Sequence, residues 1–353
     1  MTTAYAWAAH AAHKPFAPFN FQRRALEPQD VRIDILYCGI CHSDIHFAHG
    51  DWGVPSYPCV PGHEIVGRVS AVGSAVTKFK VGDLAGVGCL VDSCGHCPSC
   101  GEGLEQYCEV GATGTYMGVE KQSGLPTYGG YSNFIVVRES FVLHVKHKES
   151  DLPAVAPLLC AGITLWSPLR HWKAGPGKKV GIVGIGGLGH MGVKLAHALG
   201  AHVVAFTRSP GKAEECKRLG ADEVLVSSSP EELAKHAASF DLIINTVAAS
   251  QDLQAFASLL RRDGTLVMVG AGTEKHIAPD AFTLLMKRRS VSGSSIGGIA
   301  ETQEMLDFCA ERGITSDIEL IPVQQVDAAY KRVLASDVKY RFVLDMATLP
   351  KAA

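Results

Sequence analysis

The sequence predicts an α/β protein of two domains, and three observations carry that prediction. A chain of 353 residues is more than a single hydrophobic core usually organises. Its first half holds short β-like runs broken by Gly and Pro. From about Gly177 the texture changes to strands alternating with helical patterns, which implies a parallel sheet covered on both faces, a doubly wound arrangement.

Taken in order, the β-like runs of the first half fall at 31–37, 65–72 and 131–137. In the second half, strands are expected over 179–183, 202–206, 223–226, 241–245, 265–269 and 291–295. Helices over 191–199 and 212–219 should stop at Gly200 and Gly220, placed where a left-handed residue closes a helix. After about Gly297 come a helix over 301–312, a strand, a helix over 326–334 and a last strand over 340–345. That tail could close either domain.

Composition narrows the function classes. Apolar residues make up 47% and charged residues 19%, a globular balance. Net charge is -2 with no basic run, which argues against a nucleic-acid partner. No apolar run reaches the length of a membrane span, and residues 1–13 lack the charge-then-apolar pattern of a signal peptide. A soluble, cytoplasmic protein is expected. Eleven cysteines then point to metal rather than disulfides. Cys38, Cys59, Cys89, Cys216 and Cys309 read as small buried hydrophobes.

Four of the other thiols, Cys94, Cys97, Cys100 and Cys108, share one loop with the spacing C-x2-C-x2-C-x7-C. One loop of this form can wrap a tetrahedral ion, and four thiolates fill the coordination of Zn²⁺ and overcompensate its charge. Such an ion is a staple rather than a Lewis acid. An iron–sulfur cluster is the main rival occupant. A zinc-ribbon nucleic-acid binder fits poorly, because the loop carries Glu102, Glu105 and Glu109 in place of basic and stacking residues. Catalysis must be sought elsewhere. Cys41, His63 and Cys160 supply two thiolates and an imidazole, a three-ligand set that leaves a fourth position open.

In the second half, Gly184, Gly186 and Gly189 form G-x-G-x-x-G between a strand and a helix. The glycines suit a tight turn, room for a pyrophosphate and close helix packing. The helix start after Gly187 offers N–H groups to phosphate oxygens. At the end of the next strand, where dinucleotide folds that bind NAD usually place an acid, stands Thr207. Arg208, Ser209 and Lys212 follow, and no acid appears before Glu214. The loop is built for an anion, the 2′-phosphate of NADP.

The order of these motifs makes a resemblance specific. "CHSDIH", "YPCVPGHE", "GHEIVGRV", the four-thiol loop, "LLCAGIT", "GIGGLG" and "DVKYRFV" resemble the zinc-containing medium-chain dehydrogenase/reductase family over essentially the whole chain. The likeness is greatest to its cinnamyl-alcohol-dehydrogenase-like branch, which includes bacterial NADP-dependent aldehyde reductases. The resemblance implies a GroES-like β-barrel catalytic domain over 1–152, a Rossmann domain with a doubly wound parallel sheet over 153–296, and a return segment, 297–353, that completes the catalytic domain.

It also implies roles. Cys41, His63 and Cys160 would hold a catalytic zinc, with Glu64 able to replace its water, and Cys94, Cys97, Cys100 and Cys108 a structural zinc. Asp44 would fix the tautomer of His63. Ser43 and His46 would form a proton relay, with His46 exchanging the proton with solvent. Ser43 would also touch the cofactor, and Thr164 would pack near the nicotinamide. The backbone from Gly184 through Ile185, Gly186, Gly187 and Leu188 to Gly189 would meet the pyrophosphate. Thr246, Gly270 and Ser294, Ser295 and Ile296 would line the cofactor, and Arg341, with His42, could reach a phosphate. His10, His13 and His49 read as surface residues. The expected activity is zinc-dependent, NADP(H)-linked interconversion of aldehydes and primary alcohols by a homodimer. A non-catalytic zinc scaffold is the rival, disfavoured because a scaffold needs neither Ser43 nor His46. Yeast-type ethanol dehydrogenases carry Trp at the position matching Cys89, so the resemblance implies a roomier substrate pocket here, with Trp52 and Trp166 as candidate walls.

Overall fold

The computed structural model describes residues 1–350 except 54–55, 209 and 273. The chain divides into two compact units, 1–163 with 297–353, and 164–296.

The first unit is built on one long strand, Asp30–Gly39. It pairs antiparallel with Ile65–Val72 along one edge. Its other edge is shared: Asp30 to Asp34 pair with Phe134–Arg138, and Tyr37 to Gly39 pair with Arg341–Asp345. Register shifts at Arg32/Ile33 and Ile35/Tyr37 bend the strand, as bulges do where a sheet must curl. Leu84–Val87 and Leu143–His144 extend one side, and Ile318–Pro322 lies parallel to Arg341–Asp345 on the other. The last strand of the chain therefore sits inside the sheet of the first half. A strand in that position needs an apolar middle, and Phe342, Val343 and Leu344 are fully buried. The core around them is aliphatic and aromatic, with Val31, Ile33, Ile65, Tyr131 and Phe134 at its centre.

The second unit is a six-stranded, all-parallel sheet. In spatial order its strands are Glu223–Val226, His202–Thr207, Lys179–Val183, Phe240–Asn245, Leu260–Met268 and Ser290–Gly293. In chain order that is 3-2-1-4-5-6, the doubly wound arrangement whose reversal between strands 1 and 4 opens a crevice for a ligand. The central strands are buried in unbroken runs, Val203 to Phe206 and Leu242 to Ile244 among them, as expected of strands covered on both faces. Helix Gly189–Ala198 leaves the first of them, and Gly200 follows it at φ 84. Helix Ala213–Arg218 is likewise followed by Gly220 at φ 111. Among the described residues, no single helix is long and apolar enough to cross a membrane.

Candidate active site and metal centres

The first unit gathers two cysteine clusters. In the loop cluster, Cys94, Cys97, Cys100 and Cys108 bring their sulfurs within 4.8 Å of one another. Cys94 Sγ and Cys100 Sγ are 3.9 Å apart. A tetrahedron with Zn–S bonds of about 2.3 Å has edges of about 3.8 Å, so the spacing fits. Backbone amides also aim at sulfur: Cys94 N donates to Cys108 Sγ at 3.4 Å, Cys97 N to Cys94 Sγ at 3.3 Å and Cys100 N to Cys97 Sγ at 3.5 Å. Such bonds favour thiolate over thiol. The amide of Cys94 holds the Cys108 thiol down at about 6. The donor set suits a closed zinc site.

The second cluster draws on three separate stretches. Cys41 caps helix His42–His49, whose third residue, Asp44, accepts from Cys41 N at 2.8 Å. His63 and Glu64 precede strand Ile65–Val72, and Cys160 follows the short turn Ala156–Leu159. Gly62 N donates to Asp44 Oδ1 at 3.0 Å, which ties the second stretch to the first. Gly62 must be glycine: its φ is 105, and a Cβ there would meet Cys38 Sγ at 2.7 Å. Asp44 Oδ1 also lies 3.4 Å from His63 Nδ1, so the carboxylate orients the ring and leaves Nε2 for a metal. Tyr116 stacks on the imidazole, centroids 5.7 Å apart at 17°.

Ligand atoms of Cys41, His63, Glu64 and Cys160 all lie within 4.8 Å of one another, and all four residues are buried. Cys41 Sγ and Cys160 Sγ are 3.8 Å apart, again a tetrahedral edge. Their shared hydrogen bond lowers Cys41 and raises Cys160. One thiolate therefore forms readily, and the second needs a cation to displace its proton. Glu64 is fully buried, with Oε1 on the guanidinium of Arg341 and Oε2 without any hydrogen-bond partner. An unpartnered carboxylate oxygen beside two sulfurs and an imidazole is what a cation would satisfy. Burial raises this carboxyl and Arg341 opposes the rise. Two thiolates, one imidazole and one carboxylate already engaged by arginine fit a zinc whose fourth position is available.

Beside these ligands, Ser43 Oγ lies 3.7 Å from Cys41 Sγ. His46, one turn further along the helix, stacks on Trp52 with centroids 5.0 Å apart. Its Nδ1 is 2.9 Å from Asp51 Oδ2. Sequence reasoning missed Asp51, whose signal was only an acid just past the helix end. Cys89, expected to be a buried packing residue, is instead half-buried, with its thiol 3.9 Å from Leu159 O. Arg341, expected near a phosphate, has its guanidinium on Glu64 and on Ile40 O at 2.8 Å. His42 is exposed, its ring 5.9 Å from that of His46. Trp166 is fully buried in helix Ala161–His171, and Thr164 in the same helix is 6% exposed.

In the second unit, the glycine turn sits at the carboxyl end of Lys179–Val183, beside the end of Phe240–Asn245. Two of its glycines are demanded by the protein's own packing. A Cβ on Gly184, at φ 86, would meet Val247 Cγ2 at 2.5 Å, and one on Gly189 would meet Gly184 O at 1.9 Å. Gly186 is different: a Cβ there meets no atom within 4 Å. A glycine facing open space at a switch point is the room a pyrophosphate would fill. Ile185 is buried, Gly187 and Leu188 complete the turn, and no side chain caps helix Gly189–Ala198. The Thr246 hydroxyl is within hydrogen-bond reach of Val183 O at 2.9 Å and Gly184 O at 2.8 Å, so it pins the turn. Gly270 abuts the Thr246 carbonyl, where a Cβ would come within 2.7 Å. Ser294 N donates to Met268 O at 3.1 Å, and Ile296 adopts φ 38; Ser295 lies between them.

Thr207 is buried at the end of its strand, Arg208 is exposed and Lys212 starts the next helix half-buried. Ser209 lies outside the described residues.

Residues 27–147 match the family model of the alcohol dehydrogenase GroES-like domain, and residues 187–311 that of the zinc-binding dehydrogenases. The chain is 59% identical to aldehyde reductase YahK of Escherichia coli, over 97% of each. The chain belongs to the zinc-containing medium-chain dehydrogenase/reductase family. Within the family it is 54% identical to the NADP-dependent alcohol dehydrogenase C of Mycobacterium tuberculosis, over 99% of this chain and 100% of that one. Among solved structures, a cinnamyl alcohol dehydrogenase of Sorghum bicolor superposes with TM-score 0.94 at 43% identity, over 99% of this chain and 100% of that one. The Helicobacter pylori enzyme complexed with NADP(H) gives TM-score 0.90 at 41% identity, over 98% and 99%. The family accounts for both cysteine clusters and for the glycine turn, and its zinc and dinucleotide fit the residues present.

Proposed function

We propose that this enzyme interconverts aldehydes and primary alcohols, aromatic and cinnamyl-type ones included, with zinc and NADP(H). The observation that carries the reading is the buried Cys41, His63 and Cys160 set with Ser43 against it. When bound, zinc would supply Lewis acidity toward a substrate oxygen, and the dinucleotide the reducing equivalent. The chain's own side chains manage the proton. Ser43, half-buried beside Cys41, donates to the nascent alkoxide. His46 restores that proton from solvent, its ring held by stacking on Trp52 and its Nδ1–H donating to Asp51. Asp51 thereby orients the ring and leaves Nε2 free to face the exchanging proton. Glu64, neutralised by Arg341, is the residue able to compete for the open position.

Preference for NADPH rests on Thr207, Arg208, Ser209 and Lys212, where a threonine hydroxyl and two cations replace the usual ribose-binding acid. The relatives named as NADP-dependent support it. The test is a panel of aliphatic and aromatic aldehydes with both cofactors. NADPH should give the higher kcat/KM, Thr207→Asp should shift the ratio toward NADH by about tenfold or more, and a wild-type preference for NADH would refute the assignment.

The homodimer is part of the same proposal. Strand Ser290–Gly293 ends the sheet, and Phe282, Leu285 and Met286 nearby in the chain are 72–75% exposed. A sheet edge beside exposed apolar side chains suits a second copy of the sheet. Leu285→Arg should give a monomer by light scattering. Eleven free thiols, six of them assigned to metal in the two clusters, also favour the reducing cytoplasm.

A further inference from the structure

A third group of metal-ligating side chains lies outside both cysteine clusters. His13, His49 and Asp51 place one imidazole nitrogen each and a carboxylate oxygen within 4.8 Å of one another. The two rings have centroids 4.3 Å apart, inclined at 41°. Both histidines read as ordinary surface residues in the sequence, because nothing in their spacing links them.

The fold holds the three together. His13 lies in the turn between strands Thr2–Ala8 and Ala17–Arg23. That turn is anchored at both ends: Ala9 and Cys59 exchange backbone hydrogen bonds of 2.9 and 2.8 Å, and Phe16 N donates to the Asp327 carboxylate at 3.2 Å. His13 itself adopts φ 55, a left-handed conformation uncommon outside glycine. His49 is the last residue of helix His42–His49, and Gly50 closes the helix at φ 77. Asp51 N then donates to His46 O at 3.0 Å, which folds the acid back beside the helix end. His13 and Asp51 are exposed and His49 is half-buried, so the group opens to solvent.

Two imidazoles and one carboxylate, with water completing the shell, suit zinc, nickel, copper or cobalt(II) and not calcium or magnesium. One ligand is shared with the machinery described above, since Asp51 Oδ2 is the partner of His46 Nδ1 at 2.9 Å. A cation on Asp51 engages the carboxylate that holds the His46 ring in place and so loosens the orientation of that ring. We propose that His13, His49 and Asp51 form an exchangeable transition-metal site whose occupancy slows proton transfer through His46. The regulatory half of this inference rests on the relay reading of Ser43 and His46; the binding half does not.

The test adds Zn²⁺ alone to holoenzyme that already carries its two equivalents. Equilibrium dialysis should show a third equivalent, and aldehyde turnover should fall roughly tenfold, the low end for losing the hydrogen-bond partner behind a working histidine. His13→Ala, remote from the relay, should keep its basal turnover while losing both the third equivalent and the inhibition. His49→Ala should lose the third equivalent as well. A third equivalent retained at full affinity in both variants would overturn the site. Wild-type enzyme that takes up the third equivalent with turnover unchanged would overturn the regulation. Asp51→Asn in zinc-free buffer separates the two failures: wild-type turnover there would remove the relay, while dialysis still reads the site.

Discussion

The two cysteine clusters use the same atom to opposite ends. In the loop cluster all four donors are thiols from the single stretch Cys94 to Cys108, stabilised by amides of that same stretch. Its geometry is local, and its charge leaves a bound ion with nothing to offer a substrate. In the other cluster, donors come from three distant stretches, one sulfur is replaced by an imidazole, and the fourth donor is a carboxylate engaged by Arg341. That cluster is more weakly donating and depends on the fold to exist. Local closure suits a staple; a shared, incomplete set suits a reagent.

The comparison breaks first at Cys160. Cys160→Ser should lower turnover by more than about 10³-fold, since Lewis acidity contributes several kcal/mol to such reactions, while far-UV circular dichroism stays native. Parallel loss of fold would mean that this cluster is structural too. Ser43→Ala comes next, with a fall in kcat of about 10²–10⁴-fold, the usual contribution of a positioned proton-transfer group. Unchanged rates would leave the hydroxyl only a neighbour of Cys41. Cys97→Ser should release one equivalent of zinc by atomic absorption, because metal binding and local folding are coupled there. A loss of about 2 kcal/mol would lower the melting temperature by roughly 5 °C for a unit of this size. Residual activity per folded molecule should stay near wild type, and its disappearance would erase the division of labour. The smallest effect is expected at His46. His46→Ala should slow turnover by about tenfold and be partly rescued by added imidazole, because water and buffer can carry the proton that Asp51 and His46 otherwise hold in line.

Much of this molecule was legible from its residues because the signals were local. The four-thiol loop needs only its own spacing to close. The alternation after Gly177 needs only apolar periodicity, and strands Lys179–Val183 and Glu223–Val226 fall where it places them. Strand Leu260–Met268 begins earlier than the expected 265, because buried Leu260 pairs with Phe240 while the exposed, polar Arg261 to Asp263 lie in the irregular step before Thr265 meets Leu242. The three-ligand set was legible only as a combination, since a lone cysteine or histidine carries no address, and the resemblance then gave each residue its role.

What the sequence determined by itself is the chemistry available: two groups of metal-binding side chains, a glycine turn for phosphate, and a loop with cations where an acid usually stands. Tertiary structure decided which of these side chains meet. It seated the last strand against Asp30–Gly39, and so put Arg341 on Glu64. It turned His13, in a turn between two strands, toward His49 at the end of a helix. It also distinguished Gly186, which faces open space, from Gly184 and Gly189, which pack against protein. The reason is physical. Turn chemistry and donor type act over a few bonds, whereas a pair formed between residues hundreds of positions apart depends on every register shift and buried side chain between them.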